Sequence, residues 1–185
     1  MSTRAPGLAL VLLAACGERG ERSSPIAQTR DAPPSAAREA EAVAVDTAAI
    51  DARVASLRMV TGRVDEADEQ SAWTAALDGD VLVRVDEERT RTDGARSALR
   101  HYFRDGRHRL TREVRIATML ERNGAPTVDT IVVRCGWDAF GALAAREKTI
   151  DGMPGTVQEY EADAYRVRVA RLSQLALVRS AVRTP

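Results

Sequence analysis

At 185 residues the chain is long enough for one domain with a sizeable core and too short for several. Its 27 lysines and arginines balance 27 aspartates and glutamates, so no bulk field draws it to nucleic acid or to an anionic lipid surface, and a nucleic-acid partner is not expected. Lys148 is the only lysine; with alanine abundant, the bias toward arginine reflects overall composition and marks no site.

The first element in chain order is an address. Eight apolar residues, Leu8 to Ala15, follow the single positive charge of Arg4, the layout of a secretory signal with a short apolar region. At about 1.5 Å per residue such a run reaches only ~12 Å as a helix, against a hydrocarbon core of ~30 Å, so it does not span a membrane. Small residues at Ala14 and Ala15 suit a narrow peptidase pocket, and an ordinary signal peptide cut after Ala15 would share them. Cys16 adds a thiol at the next position. Leu13-Ala14-Ala15-Cys16 is similar to the lipobox of bacterial lipoproteins, a resemblance that covers residues 1 to about 17. It implies that Cys16 becomes a lipidated N-terminus carrying a diacylglyceryl thioether and an acylated amine, several chains giving the durable attachment that one chain does not. Gly17 stands where an aspartate in such families signals inner-membrane retention, so the resemblance implies the outer membrane, facing the periplasm, in a Gram-negative host. Acylation of Cys16 leaves Cys135 alone, and a single cysteine forms no internal disulfide.

From Gly17 onward the chain is charged, alanine-rich and broken by Ser23-Ser24-Pro25 and Pro33-Pro34, with almost no large apolar residue after Ile26. Such a stretch buries too little surface to offset its ordering entropy. The expected organisation is a signal peptide over 1–15, a flexible tether over 16–45 spanning on the order of 30 Å, and a single α+β domain over 46–185.

That domain is expected to open with a helix from Thr47 to Met59. Asp46 suits its N-cap, Ile50, Val54 and Leu57 fall on one face at i, i+4 and i+7, and Gly62 suits a left-handed cap. The acidic run Asp65, Glu66, Asp68 and Glu69 lacks the glycine and ligand spacing of a calcium loop and reads as a solvated linker. The period then changes to two. Trp73 to Leu77, the turn Asp78-Gly79-Asp80 and the alternation Val81, Val83, Val85 predict a hairpin. A second runs from Leu99 to Phe103, turns at Arg104-Asp105-Gly106 and returns from Arg107 to about Met119; a third joins Val128–Trp137 to Ala142–Ile150 through Asp138-Ala139-Phe140-Gly141. The three share a grammar, each return strand carrying Asp86-Glu87, Arg112-Glu113 or Arg146-Glu147. Tyr102-Phe103-Arg104-Asp105-Gly106 resembles the Tyr-Phe-x-x-Gly hairpins of uncharacterised bacterial envelope proteins, a likeness that brings no site with it. After Gly152-Met153-Pro154-Gly155, the capping box Thr156 to Glu159 predicts a helix from Val157 to Ala181, with Tyr165, Val169, Leu172 and Ala176 on one face. The expected architecture is an antiparallel meander of about six strands, one face packed against the N-terminal and C-terminal helices and the other wet.

No arrangement of residues in the sequence amounts to a catalytic set, and the protein is not expected to be an enzyme or to need a cofactor. Cys135 lies in the apolar strand Ile131-Val132-Val133-Arg134-Cys135, where cysteine behaves as a small hydrophobe. His101 and His108 flank a turn and could meet across a ladder, but two imidazoles make a weak metal site, and an exposed pair is the expectation. Asp86 and Glu88 share a strand face beside Arg84, Arg89 and Arg91, which can pair with them. Trp73, Tyr102 and Trp137 are candidate binding residues if they emerge together as a platform for a glycan, peptide or lipid headgroup, yet with aromatics only 4% of the chain they are also the obvious core fillers. Arg112 and Arg115 are candidates on the wet face. The function expected is a lipid-anchored cell-envelope protein that docks or scaffolds a protein partner; the alternative is a lipid, glycan or peptide carrier, with an enzyme using Cys135 or the histidines a more distant third.

Overall fold

The computed structural model describes residues 47–120 and 124–182, so the signal peptide, Cys16, the tether and the Asp46 cap lie outside the described residues. Eight antiparallel strands form one sheet in sequence order: β1 (Arg58–Asp65), β2 (Glu69–Asp78), β3 (Val81–Arg91), β4 (Arg96–Arg104), β5 (Arg107–Leu120), β6 (Pro126–Trp137), β7 (Leu143–Ile150) and β8 (Met153–Gly155). Two helices accompany it, α1 (Thr47–Arg53) and α2 (Glu159–Val182). The meander and the α+β class are as the sequence predicts. Two strands were not.

The first extra strand is β1. The N-terminal helix stops at Arg53, passes through a 3-10 turn at Val54–Ser56, and gives way to a strand within the predicted helical span. Beyond Leu57 the buried positions are Val60 and Val64, which line up with β2 through Val60↔Ala75 and Val64↔Ser71. Pairing supplies hydrogen bonds that a lone helical turn could not match. The acidic run is therefore no linker: it forms the β1–β2 hairpin, closed by Glu66 N–H donating to the Glu69 carbonyl at 2.8 Å. Gly62 is no cap either. It faces Trp73 across the ladder, and a Cβ there would lie 2.2 Å from the indole ring.

The other extra strand, β8, follows the same Asp-Gly rule as its predecessors. Asp151 and Gly152 both take positive φ (49° and 80°), as do Asp105 and Gly106 (54° and 72°), the requirement of the tight two-residue turn. The start of α2 also shifts. Glu161, not Glu159, reaches back with its carboxylate to accept from the Gln158 N–H at 2.8 Å, making Gln158 the cap and leaving Thr156 outside the helix.

α2 packs diagonally across one face. Twenty-four residues at about 1.5 Å each reach ~36 Å, enough to cross most of eight strands spaced ~4.8 Å apart. Near its start Lys148 on β7 meets Glu161 at 2.8 Å, and near its end Arg179 donates to the Thr61 carbonyl on β1 at 2.7 Å. Its apolar stripe divides into two cores: Ala162 and Tyr165 with Leu99, Ile131, Val133, Cys135 and Trp137, and Val169, Leu172 and Ala176 with Val60, Trp73, Val85 and Phe103.

α1 lies on the opposite face, contrary to the expected one-sided arrangement. Ile50 packs on Tyr102 and Leu110, and Asp51 accepts from Arg84 at 2.8 Å and from the Tyr102 hydroxyl at 3.2 Å. Strand parity demands it, because Tyr102 and Arg84 alternate with the α2-facing residues His101, Phe103 and Val85. Among the described residues no helix is long and apolar enough to cross a membrane.

Candidate binding face

Among the described residues the α1 face is covered only at its turn end. Beyond Tyr102 the register sets up a row across five strands, Asp86↔Arg100↔Arg112↔Arg134↔Glu147. Three arginines stand side by side, an arrangement that costs stability because like charges oppose each other directly. The outer two are partnered. Arg100 approaches Asp86 at 3.5 Å and Asp51 at 3.6 Å, while Arg134 meets Glu147 at 3.2 Å. Arg112, exposed in the middle, has no acidic partner among the described residues.

The neighbouring row is Glu88↔Ala98↔Val114↔Val132↔Thr149, with Ile116 and Thr130 beyond it. Val114, Val132 and Ile116 are 45%, 42% and 50% exposed, so the arginine row borders an uncovered aliphatic floor. Arg100, Arg112 and Arg134 with Val114 and Val132 line a hollow of about 600 Å³, within the range of ligand sites, and Ile116 continues the floor beyond it.

The α2 face holds a different kind of site, a buried charged layer between its two apolar cores. Arg168 donates to Glu87 at 2.6 and 2.9 Å and to Ser71 at 2.8 Å, and meets Glu69 at 3.2 Å. Glu113, fully buried, accepts from Arg89 at 2.9 Å, from Arg115 at 2.9 and 3.1 Å, and from the Tyr165 hydroxyl. Burial alone would raise both carboxyls. The arginines outweigh it, holding Glu113 below the usual range and bringing Glu87 down to about 2. His101 Nε2 stands 3.8 Å from Glu87 Oε2, beyond a full hydrogen bond, so Arg168 carries most of that effect. Burial and the adjacent Glu113 raise the Tyr165 hydroxyl.

The two histidines are buried or half-buried, not the exposed pair expected. A bulge after Tyr102 offsets them, so His101 opposes Thr111 and His108 opposes Phe103, with ring centroids 5.9 Å apart. Thr111 Oγ1 lies 2.9 Å from His101 Nδ1 and 2.9 Å from His108 Nε2. Desolvation lowers both imidazoles, His108 to about 3. Among the described residues no three His, Cys, Asp or Glu side chains group as metal ligands. Cys135 is wholly buried and free, and burial pushes its thiol up to about 11.

The remaining candidates scatter. Trp73 and Trp137 are 2% exposed under α2 and Tyr102 is buried under α1, so the three aromatics form no common exposed platform. Arg112 lies on the bare face, but Arg115, three residues on, turns to the other face and binds Glu113. The shared strand grammar separates in the same way. Glu87 and Glu113 point in and Asp86 and Arg112 out, whereas the third copy is inverted, placing Glu147 outward on Arg134. No linear motif marks Arg168, Glu87 and Glu113 as partners; the one signal in the sequence is a lone acid continuing an apolar period-two face, as Glu87 continues Val83 and Val85.

The described residues define a helix-backed meander sheet with one largely uncovered side. No family model matches the chain, and no curated protein and no solved structure matches it.

Proposed function

We propose that this protein is a lipid-anchored binding module of the cell envelope, without catalysis of its own, that acts through the bare face of its sheet. The anchor reading rests on Leu13-Ala14-Ala15-Cys16, with Cys16 as the lipid acceptor and the outer membrane as its site in a Gram-negative host. The observation that carries the binding reading is Arg112, an exposed guanidinium between two arginines at the edge of an uncovered Val114–Val132–Ile116 floor. Folded chains rarely leave a like-charge row beside exposed aliphatics unless something covers them. Under α2 the carboxylates of Glu87 and Glu113 are buried against Arg168, Arg89 and Arg115, which favours a structural role for them.

Photo-crosslinking in the host tests the reading. A crosslinking residue at Arg112 or Val132 should give discrete adducts, and one at the exposed Tyr160 of α2 should not. Equal or absent labelling from all three positions would sink it. For the anchor, Cys16→Ser should move the protein from the membrane to the soluble fraction and remove the acyl mass from its N-terminus; an unchanged mass would reject lipidation.

A further inference from the structure

We infer that the hollow on the bare face takes an anionic amphiphile, one small acidic head seated on Arg112 and one apolar chain laid along Val114, Val132 and Ile116. This deepens the binding-face reading and rests on it. The row bounds the head. Its sequence of charges, Asp86, Arg100, Arg112, Arg134, Glu147, leaves a single positive centre with acids at both flanks. A polyanion such as nucleic acid or an acidic helix would overrun the centre and meet Asp86 and Glu147, whereas one carboxylate fits between them. Planar guanidinium groups to either side can each present paired N–H donors to it, and such charge-assisted bonds are about twice as strong as neutral ones. A bound anion would also screen the repulsion of Arg112 by the arginines on either side.

The floor sets the tail. From Arg112 to Ile116 is four residues along β5, about 14 Å, and the exposed side chains on that track are aliphatic, with Ala98 and Val132 widening it on β4 and β6. At the head end Asp51 of α1 holds Arg100 and Tyr102 in place. Among the described residues the far end stays open, Ile116 being half exposed, so a chain can enter from it.

Dodecanoate, added below its micelle threshold to the folded protein and followed by calorimetry, is the probe. It should bind saturably at one site, with acetate (head alone) and dodecyltrimethylammonium (opposite charge) failing to bind. Arg112→Glu and Val132→Asp should each weaken binding at least tenfold, while Arg104→Glu, at an exposed turn outside the hollow, should not change it. Arg112→Glu should at the same time raise the melting temperature, because an acid between two arginines replaces repulsion with attraction; lost binding in a better-folded variant separates ligand recognition from fold damage. Equal binding of the cationic amphiphile, or affinity unchanged by both hollow variants, would overturn the proposal. If crosslinking from Arg112 captures only protein and dodecanoate does not bind, the amphiphile is rejected and the binding face stands; if neither labels, both fall.

Discussion

Gly62 shows how much one residue decides. Its missing Cβ is the space in which the Trp73 ring lies, and Arg179 stacks over that ring at 5.6 Å from its centroid. Gly62→Ala puts a methyl 2.2 Å from the indole, so the ring must move and Arg179 with it. We expect a loss of about 1–3 kcal/mol in denaturant unfolding, accompanied by a shift in tryptophan fluorescence. Gly62 could be read from the sequence as a helix cap because glycine serves both uses. Only its cross-strand partner, eleven residues away, distinguishes them.

Among the elements, α2 depends most on a polar contact within an apolar stripe. Tyr165, Val169, Leu172 and Ala176 are all buried, as their spacing predicts, and Arg168 sits among them over Glu87. Removing that guanidinium leaves a fully buried carboxylate without its main partner. Arg168→Ala should cost ~3–5 kcal/mol, and the double replacement Arg168→Met with Glu87→Leu should recover most of the loss, since a buried ion pair exchanged for apolar residues is often neutral. Arg171→Ala, whose partner Glu66 lies at the exposed hairpin, should change stability by less than about 1 kcal/mol. Comparable losses in Arg168→Ala and Arg171→Ala would show that the buried layer is not what secures the helix.

For the whole molecule His108 and Glu87, both on the α2 face, predict a direction of pH dependence. His108 has its pKa lowered from 6.5 to about 3, and Glu87 from 4.5 to about 2. In both cases the unfolded chain binds a proton that the folded protein resists, so stability rises with pH. It should be complete above pH 6.5, fall as His108 is forced toward its charged form below that, and fall more steeply below pH 4.5 as Glu87 joins. Calorimetric melting from pH 7 to pH 4 checks this, and His108→Gln should flatten the upper part of the curve. A melting temperature that rises on acidification would contradict the description of both groups.

By itself the sequence determined the three hairpins and the buried stripe of α2, because turn chemistry and hydrophobic period act over a few residues. It also contains Asp151-Gly152, the same turn chemistry as the earlier hairpins, so β8 is legible in it. Only the tertiary structure decided which strand faces share a side, since each bulge, after Ala76, Tyr102 and Gly136, resets the alternation that a linear reading carries forward. Arg112 and Arg115 part company by strand parity alone, but only the folded sheet shows that α1 and α2 take opposite faces and that three arginines from three strands form one row. Their spacing in the chain is irregular, and only the ladder brings them side by side.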